Sequence, residues 1–291
     1  MKKIVGIGEV LWDLLPDGKQ PGGAPGNFAY HAMQLGFESY AVSAIGKDEL
    51  GSEIEVFLKS KKLNTILQHV DYPTGIVEVL LDSSGVPTYN ICENVAWDNI
   101  ILDMEMKNLA RETDAVCFGT LAMRNDVSRK SINNFVDLVP DYSCKIFDIN
   151  LRQHYYSKEL IESCLDKCNI FKINDDEISV LMRMFNMKYL DEKSFSKFLI
   201  EQYDLKILIL TKGEKGSIVI TKAGEISEKQ TPRVKVIDTV GAGDAFTAAF
   251  VGGIMRGDSI SEAHNSAVQI SAYVCSCQGA MPDYKDLVIK W

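Results

Sequence analysis

The stretch that decides the fold lies at residues 238–246 and reads Asp238-Thr239-Val240-Gly241-Ala242-Gly243-Asp244-Ala245-Phe246. It continues an RVKVID segment at 233–238, which reads as a short antiparallel strand, and it opens an apolar run at 245–255 with helical character. Glycines at a helix start let the backbone approach a ligand closely, and the free amides and positive dipole end there attract anions. The stretch therefore predicts an anion site that contains one carboxylate, Asp244.

Asp244 has two interpretations. It can cap the helix, because aspartate is a preferred residue at that position. A cap alone leaves the run of small residues before it unexplained. An anion cradle beside a carboxylate suits phosphoryl transfer to an alcohol, since the amides neutralise the transferred group while the aspartate accepts the hydroxyl proton. We therefore favour a catalytic base, and we expect its place at the helix start to keep it a weak base.

Outward from this motif the chain alternates between strands and helices. Short apolar runs at 3–8, 39–45, 114–119, 145–150, 169–174 and 205–210 read as strands, and amphipathic segments between several of them read as helices. This alternation predicts an α/β fold in which a mostly parallel sheet is covered on both faces, a three-layer α/β/α sandwich, formed by residues 1–291 as one domain.

One part of the chain departs from this pattern. Residues 74–91 alternate and are rich in β-branched residues, with a turn at Asp82-Ser83-Ser84-Gly85. The segment is either a plain extra hairpin or part of a small β-sheet lid, built from segments near 10–20 and 72–100.

Composition limits the classes of function. The chain has 291 residues, 46% of them hydrophobic, and a formal net charge of -9, which disfavours nucleic acid as a partner. Seven scattered cysteines without a CxxC pair favour buried reduced thiols and a cytoplasmic location. No run is long and apolar enough to predict a membrane span.

A second glycine-rich stretch lies near the start, at Gly22-Gly23-Ala24-Pro25-Gly26-Asn27, after an acidic residue, Asp13, in GEVLWDLLP. Taken alone, a glycine-rich turn before a helix is usually structural. Together with the stretch at 238–246, it resembles the paired signatures of the ribokinase-like sugar kinases. The two motifs follow each other along this chain in the same order as in that family. The resemblance covers essentially the whole chain.

The resemblance implies a set of roles around an acceptor sugar and ATP. Asp244 would be the catalytic base, and the backbone of Gly241, Ala242 and Gly243 would form the anion hole. Sugar contacts would come from four residues: Asp13, Gly22, Gly23 and Asn27. Arg152, in the segment DINLR, would reach the substrate and phosphates, although a surface arginine is an equal alternative.

The nucleotide side has its own expected residues. Asn174 and Glu177 fit a helix capping box, but the resemblance implies that they organise Mg²⁺ and the phosphates, with Glu177 acting through water. The resemblance places the nucleotide loop and the adenine pocket at four residues: Thr211, Gly213, Gly216 and Asn265. It also implies a K⁺ site beside the anion hole, formed by Asp238, Val240 and Gly279.

The acceptor is less clearly marked in the sequence. GEVLWDLLP, the glycine-pair spacing and DINLR look most like fructokinases, so the expected reaction converts D-fructose to fructose 6-phosphate. Kinases of ribose, 2-keto-3-deoxygluconate or adenosine stay open, as does a sugar-binding regulator without activity. The resemblance further implies a homodimer formed through the lid.

Overall fold

The computed structural model describes residues 1–15, 18–81 and 87–284, so the turn predicted at 82–85 lies outside the described residues. Its strands are β1 Lys3–Ile7, β2 Leu11–Leu15, β3 Gly18–Gly22, β4 Glu38–Gly46, β5 Asn64–Val70, β6 Gly75–Leu81, β7 Pro87–Ile91, β8 Ala115–Phe118, β9 Cys144–Asp148, β10 Ile170–Asn174, β11 Ile207–Thr211, β12 Ser217–Thr221 and β13 Ile226–Lys229. Its α-helices are α1 Ala24–Gln34, α2 Glu49–Ser60, α3 Met104–Arg111, α4 Asp126–Leu138, α5 Lys158–Leu165, α6 Asp175–Met184, α7 Glu192–Gln202, α8 Ala242–Arg256 and α9 Ile260–Cys275.

A nine-stranded sheet forms the centre of the molecule, in the order β13-β12-β11-β10-β9-β8-β1-β4-β5. The strands from β11 to β5 pair in parallel, and β12 and β13 add an antiparallel edge. Apolar side chains alternate between the two sheet faces, so that Phe147 and Phe171 pack with α3–α7 while Ile146 and Ile170 pack with α1, α8 and α9. The predicted three-layer α/β/α sandwich is confirmed.

The strand predicted at 233–238 is wrong. These residues form no strand, and Val234, Val236 and Ile237 are exposed. The backbone amides of Ile237 and Asp238 instead donate to the carbonyl of Cys275, at the end of α9. An alternating apolar pattern forms a strand only where one face is buried against a partner, and this segment has no such face.

Helix α8 is the central helix of its layer. Eleven of its fifteen residues are buried, most of them small. A Cβ on Gly252 would lie 2.9 Å from the ring of Phe37, and one on Gly253 would lie 2.8 Å from the Cβ of Ala263. The small residues therefore let α8 approach its neighbours closely and fix where its N-terminus points.

A separate four-stranded sheet has the order β3-β2-β6-β7, with β2 and β6 parallel and the other pairs antiparallel. It confirms the predicted small β-sheet apart from the central one, with strands at 11–15, 18–22, 75–81 and 87–91, while its action as a lid stays a prediction. β3 ends at Gly22, just before α1, so the lid is joined directly to the glycine-rich stretch. In the described part of the chain, no helix has the length and apolarity that a membrane crossing needs.

Candidate active site

The predicted catalytic residue lies at the carboxyl edge of the parallel strands, where ligands bind in open α/β sheets. Glu9 follows β1, Gly119 follows β8 and Asp148 ends β9. With the head of α8 and the start of α1 they enclose a narrow cavity lined by Glu9, Ala24, Pro25, Cys117, Phe118, Gly119, Asp148, Asn150 and Asp244.

The head of α8 has the geometry of an anion site. Gly241 is its N-cap residue and lies in the left-handed region with φ 78°. No side chain at that position caps the amides of the first turn. Asp244 is the third helical residue, so the capping interpretation of Asp244 is wrong. The amides of Gly243 and Asp244 belong to the first turn, where a helix supplies no carbonyl partner. These amides and the carboxylate therefore share one end of one helix.

Asn27 contacts the carboxylate of Asp244 from the facing helix. Its Nδ2 donates to Asp244 Oδ2 at 2.8 Å, so the structure brings together two residues that are 217 positions apart. Asn27 is 3% exposed, and its Oδ1 has no hydrogen-bond partner. A buried amide oxygen without a donor favours a ligand hydroxyl at that point.

The electrostatics of the cavity make Asp244 a stronger base than expected. Burial, followed by the negative charge of Asp148, raises the pKa of Asp244 to about 7, although Asn27, Lys172 and Arg152 oppose the shift. The expectation of a weak base is wrong, because it considered the helix start and left out burial in the cavity and the nearby carboxylate of Asp148.

A buried ion pair lies beneath the glycine loop, and sequence reasoning missed it. Lys172 on β10 pairs in register with Asp148 on β9, and Lys172 Nζ lies 3.0 Å from Asp148 Oδ1. A Cβ on Gly243 would lie 3.2 Å from the same Nζ. Burial alone would lower the pKa of Lys172, but the carboxylates of Asp148, Glu177 and Asp244 outweigh it and raise that pKa. A fixed ammonium therefore lies beside the predicted anion hole.

The predicted sugar contacts gather on the lid side of the cavity. A Cβ on Gly22 would lie 2.6 Å from Asp13 Oδ2, and one on Gly23 would lie 2.3 Å from the carbonyl of Glu9. Gly23 also has φ 118°, which glycine adopts without strain. The glycine pair therefore lets this turn approach Asp13 and Glu9 without a side chain between them.

Two carboxyl groups on this side have raised pKa values. Burial raises the pKa of Asp13, and Arg152 opposes that shift. Burial also raises the pKa of Glu9 to about 7, again against the charge of Arg152. Glu9 is a second residue that sequence reasoning missed, although a carboxylate directly after an apolar strand was a visible signal. The exposed Arg152 is thus electrostatically linked to the acceptor side of the cavity.

Asn174 and Glu177 form a capping box at the start of α6, as one of the two interpretations of this pair predicted. Asn174 Oδ1 accepts from the amide of Glu177, and Glu177 Oε2 accepts from the amide of Asn174, both at 2.9 Å. Glu177 Oε1 accepts from the amide of Leu151, also at 2.9 Å, and so holds the segment that carries Arg152. Both carboxylate oxygens of Glu177 are engaged, which fits a contact to Mg²⁺ through water better than direct ligation.

Of the other residues predicted to bind the nucleotide, three lie together and one lies apart. Thr211 ends β11 in register with Asn174, and the loop after it contains Gly213 at φ 53° and Gly216 at φ 99°. Asn265 is exposed on α9, and no hydrogen bond joins it to that loop in the described ranges.

The residues of the predicted K⁺ site lie together. Asp238 Oδ1 accepts from the amide of Val240, and Asp238 Oδ2 accepts from the amide of Gly279, each at 3.0 Å. Asp238 therefore joins the segment before α8 to the loop after α9. Among the described residues, no cluster of three or more His, Cys, Asp or Glu side chains could hold a metal ion.

Comparison with known proteins identifies the family of this chain. The model of the pfkB family carbohydrate kinases matches residues 17–287 of the chain. This chain belongs to the PfkB family. The ATP-dependent 6-phosphofructokinase of Thermoanaerobacterium thermosaccharolyticum is 28% identical over 98% of this chain and 91% of its own. A probable fructokinase of Arabidopsis thaliana is 27% identical over 96% of this chain and 93% of its own.

A sugar kinase of Pyrococcus horikoshii, solved in complex with ATP, superposes on this PfkB chain with a TM-score of 0.81. The two are 25% identical, and the match covers 99% of this chain and 97% of the other. The predicted resemblance to ribokinase-like sugar kinases is confirmed. The protein is a carbohydrate kinase. Its relatives are named for different acceptors, such as fructose 6-phosphate and fructose.

Proposed function

We propose that this PfkB kinase transfers the γ-phosphoryl group of ATP to a hydroxyl of D-fructose and releases fructose 6-phosphate and ADP. The observation that carries the proposal is the contact between Asn27 and Asp244 at the head of α8, beside the ammonium of Lys172. A carboxylate that can act as a base, an amide side chain that can bind a sugar hydroxyl and a helix head that can bind an anion thus lie side by side. The fructokinase relative supports the choice of acceptor.

The reaction needs one proton transfer and one exchange of phosphorus–oxygen bonds. Asp244 accepts the proton of the attacking hydroxyl, the new bond forms between that oxygen and the γ-phosphorus, and the bond to the β-phosphate oxygen breaks. The amides at the head of α8 and the ammonium of Lys172 offset the charge on the transferred group. Mg²⁺, when bound with ATP, would neutralise charge on the phosphates, with Glu177 near it through water.

The charge of the acceptor side favours a neutral sugar over a sugar phosphate. Carboxyl groups of Glu9, Asp13 and Asp244 surround it, and Arg152 is the exposed cation linked to all three. A phosphorylated sugar would bring two more negative charges into this group. The second candidate, phosphorylation of fructose 6-phosphate, comes from the phosphofructokinase relative, and there Arg152 would bind the existing phosphate.

The acceptor is tested by a panel of sugars. ATP consumption with Mg²⁺ and K⁺ is measured for D-fructose, D-ribose, D-glucose, 2-keto-3-deoxygluconate, adenosine and fructose 6-phosphate. We expect the highest kcat/KM for D-fructose. For fructose 6-phosphate we expect a kcat/KM at least about tenfold lower, which corresponds to about 1.4 kcal/mol less transition-state binding.

Other outcomes of the panel are equally informative. Preference for another neutral acceptor would keep the mechanism and overturn the choice of fructose. Preference for fructose 6-phosphate that is lost in Arg152→Ala would support the second candidate. Sugar binding by calorimetry without any turnover would favour a regulator. The homodimer through the lid, the cytoplasmic location and the K⁺ site stay predictions.

The pH dependence of the reaction provides a test of the base. Asp244 acts only when ionised, and its pKa is raised to about 7, so kcat/KM is expected to fall about tenfold per pH unit below that value and to level off above it. Asp148→Asn removes a like charge, and it also frees Lys172 to act on Asp244, so both effects lower the pKa of Asp244. The acid limb should therefore move to lower pH in that variant. An unchanged limb would show that another group controls it.

A further inference from the structure

One face of α1 reaches both functional parts of the α8 head. Asn27 contacts Asp244, and His31 lies four residues later, which places it one turn along the same helix face. His31 Nε2 lies 3.0 Å from the carbonyl oxygen of Ala280, in the loop that follows α9. The base Asp244 and the loop that contains Ala280 are therefore both held by hydrogen bonds from neighbouring positions on α1.

The protonation state of His31 is fixed by its two partners. A carbonyl oxygen can only accept, so Nε2 carries the hydrogen and donates it to Ala280. Nδ1 then accepts from the hydroxyl of Tyr284 at 2.6 Å, and the two rings stack with centroids 5.7 Å apart. His31 is fully buried, and burial lowers its pKa to about 3, so the ring stays neutral near physiological pH.

The residue that His31 holds lies against the N-cap of α8. A Cβ placed on Gly241 would be 2.7 Å from the carbonyl oxygen of Ala280 and 2.8 Å from its Cα. Ala280 is 6% exposed, so it fills this space with little solvent beside it. Movement of Ala280 would therefore change the support of the first turn of α8, where the anion-binding amides lie.

The same loop has other anchors that lie further along the chain from Gly241. Lys61 Nζ donates to the carbonyl of Met281 at 2.8 Å, and Tyr30 donates to Asp283 at 2.8 Å. Tyr273 donates to the carbonyl of Asp283 at 2.9 Å. These bonds hold the loop as a whole, whereas the bond from His31 ends on the residue that touches Gly241.

We propose that His31 is a positioning residue for phosphoryl transfer: its Nε2–H holds Ala280 against Gly241 and so keeps the anion-binding amides of α8 in place. The proposal rests on the kinase activity proposed above and not on the identity of the sugar. It predicts that the loss of this one hydrogen bond lowers kcat and leaves the acceptor KM nearly unchanged, because Asn27 still contacts the base.

Substitution of His31 by glutamine or by asparagine distinguishes the hydrogen bond of Nε2 from that of Nδ1. Glutamine can place an amide nitrogen near the position of Nε2 and donate to Ala280, whereas asparagine reaches only as far as Nδ1. With D-fructose, or the panel sugar of highest turnover, we expect His31→Gln to keep kcat within about threefold. His31→Asn should lose about 10- to 100-fold, the range that a misplaced catalytic group costs.

The control is Tyr30→Phe, which removes a bond to the same loop and should leave kcat within about twofold, since the lost bond ends on Asp283 and not on the residue that touches Gly241. Hydrogen exchange of the amides at 239–245 gives a readout that needs no turnover. It should accelerate in His31→Asn and not in His31→Gln or Tyr30→Phe.

The possible outcomes separate this proposal from the proposed function. No turnover of any sugar by the wild-type protein would count against the proposed function, and hydrogen exchange would still test His31. Equal kcat and equal exchange in the glutamine and asparagine variants, measured well below their Tm, would overturn the positioning role. A purely structural histidine would lower Tm in both variants without separating them in kcat.

Discussion

Asp244→Asn is expected to lower kcat by about 10²- to 10⁴-fold, the range that a positioned general base contributes. The asparagine keeps the size of the side chain and an oxygen that Asn27 can donate to, but it cannot accept the hydroxyl proton. Sugar and ATP binding should persist, because Asp13, the glycine turn and the amides of α8 are unchanged. Initial rates together with calorimetric titration of the sugar would measure both effects.

The same substitution should not destabilise the protein. The pKa of Asp244 is raised from its ordinary value of 3.8 to about 7, so the folded state disfavours the ionised form; this cost grows as the pH rises from about 4 to about 7 and is fully present above that. At pH 8 the neutral asparagine should therefore give a Tm at least as high as that of the wild type. A lower Tm would show that the lost charge was stabilising.

Asp126→Asn is the matched control. Asp126 is also an aspartate in the first turn of a helix, α4, but it pairs with Arg129 on the surface and lies outside the cavity. Its substitution should leave kcat within about twofold, since surface changes are usually small in effect. Comparable rates for Asp244→Asn and the wild type would refute the assignment of the base.

The sequence allowed the main features of the site to be predicted because each has a local signal. A glycine run before an apolar helix marks the head of α8, and Gly22 to Asn27 mark the head of α1. The fold then places Asn27 and Asp244 in contact across 217 residues. The order of the two signatures supported the resemblance, but it did not predict this contact, since no local pattern states how far apart two helix heads lie.

Lys172 and Asp148 could not be paired from the sequence, because their contact depends on strand register. Each lies in a short apolar strand, and only the parallel pairing of β9 with β10 sets them side by side, facing α8. Glu9 had a visible signal, a carboxylate directly after an apolar strand, but its burial could not be predicted from that signal. Its raised pKa comes from burial in a cavity that five separate parts of the chain enclose.

The error at 233–238 shows the limit of periodicity as a signal. An alternating β-branched run has the pattern of a strand, but a strand also needs an edge to pair with and a face to bury. β13 at Ile226–Lys229 already forms the sheet edge, and the run at 233–238 stays exposed beside α9. Pairing partners are a property of the whole fold, so this choice lies beyond a single sequence window.

Gly241→Ala is expected to lower kcat by about 10²- to 10³-fold, the cost of losing an oxyanion donor. Gly241 has φ 78°, and the added Cβ would lie 2.7 Å from the carbonyl oxygen of Ala280 and 2.8 Å from its Cα. Backbone atoms cannot rotate aside as a flexible side chain can, so either the loop after α9 or the first turn of α8 must shift. The amides that face the transferred phosphoryl group would then lose their positions.

Gly257→Ala separates this displacement from backbone strain alone. Gly257 caps the other end of α8 with φ 95°, and an added Cβ there meets nothing within 4 Å. Gly257→Ala should lose about 1–2 kcal/mol of stability in urea unfolding, the usual cost of a left-handed conformation for a residue with a side chain, and Gly241→Ala should lose at least as much because its Cβ also overlaps Ala280. Only Gly241→Ala should also lose kcat when both are assayed well below their unfolding midpoints. Equal losses of kcat would assign the effect to instability, and full activity of Gly241→Ala would show that transfer does not depend on the head of α8, because the substitution displaces that element in particular.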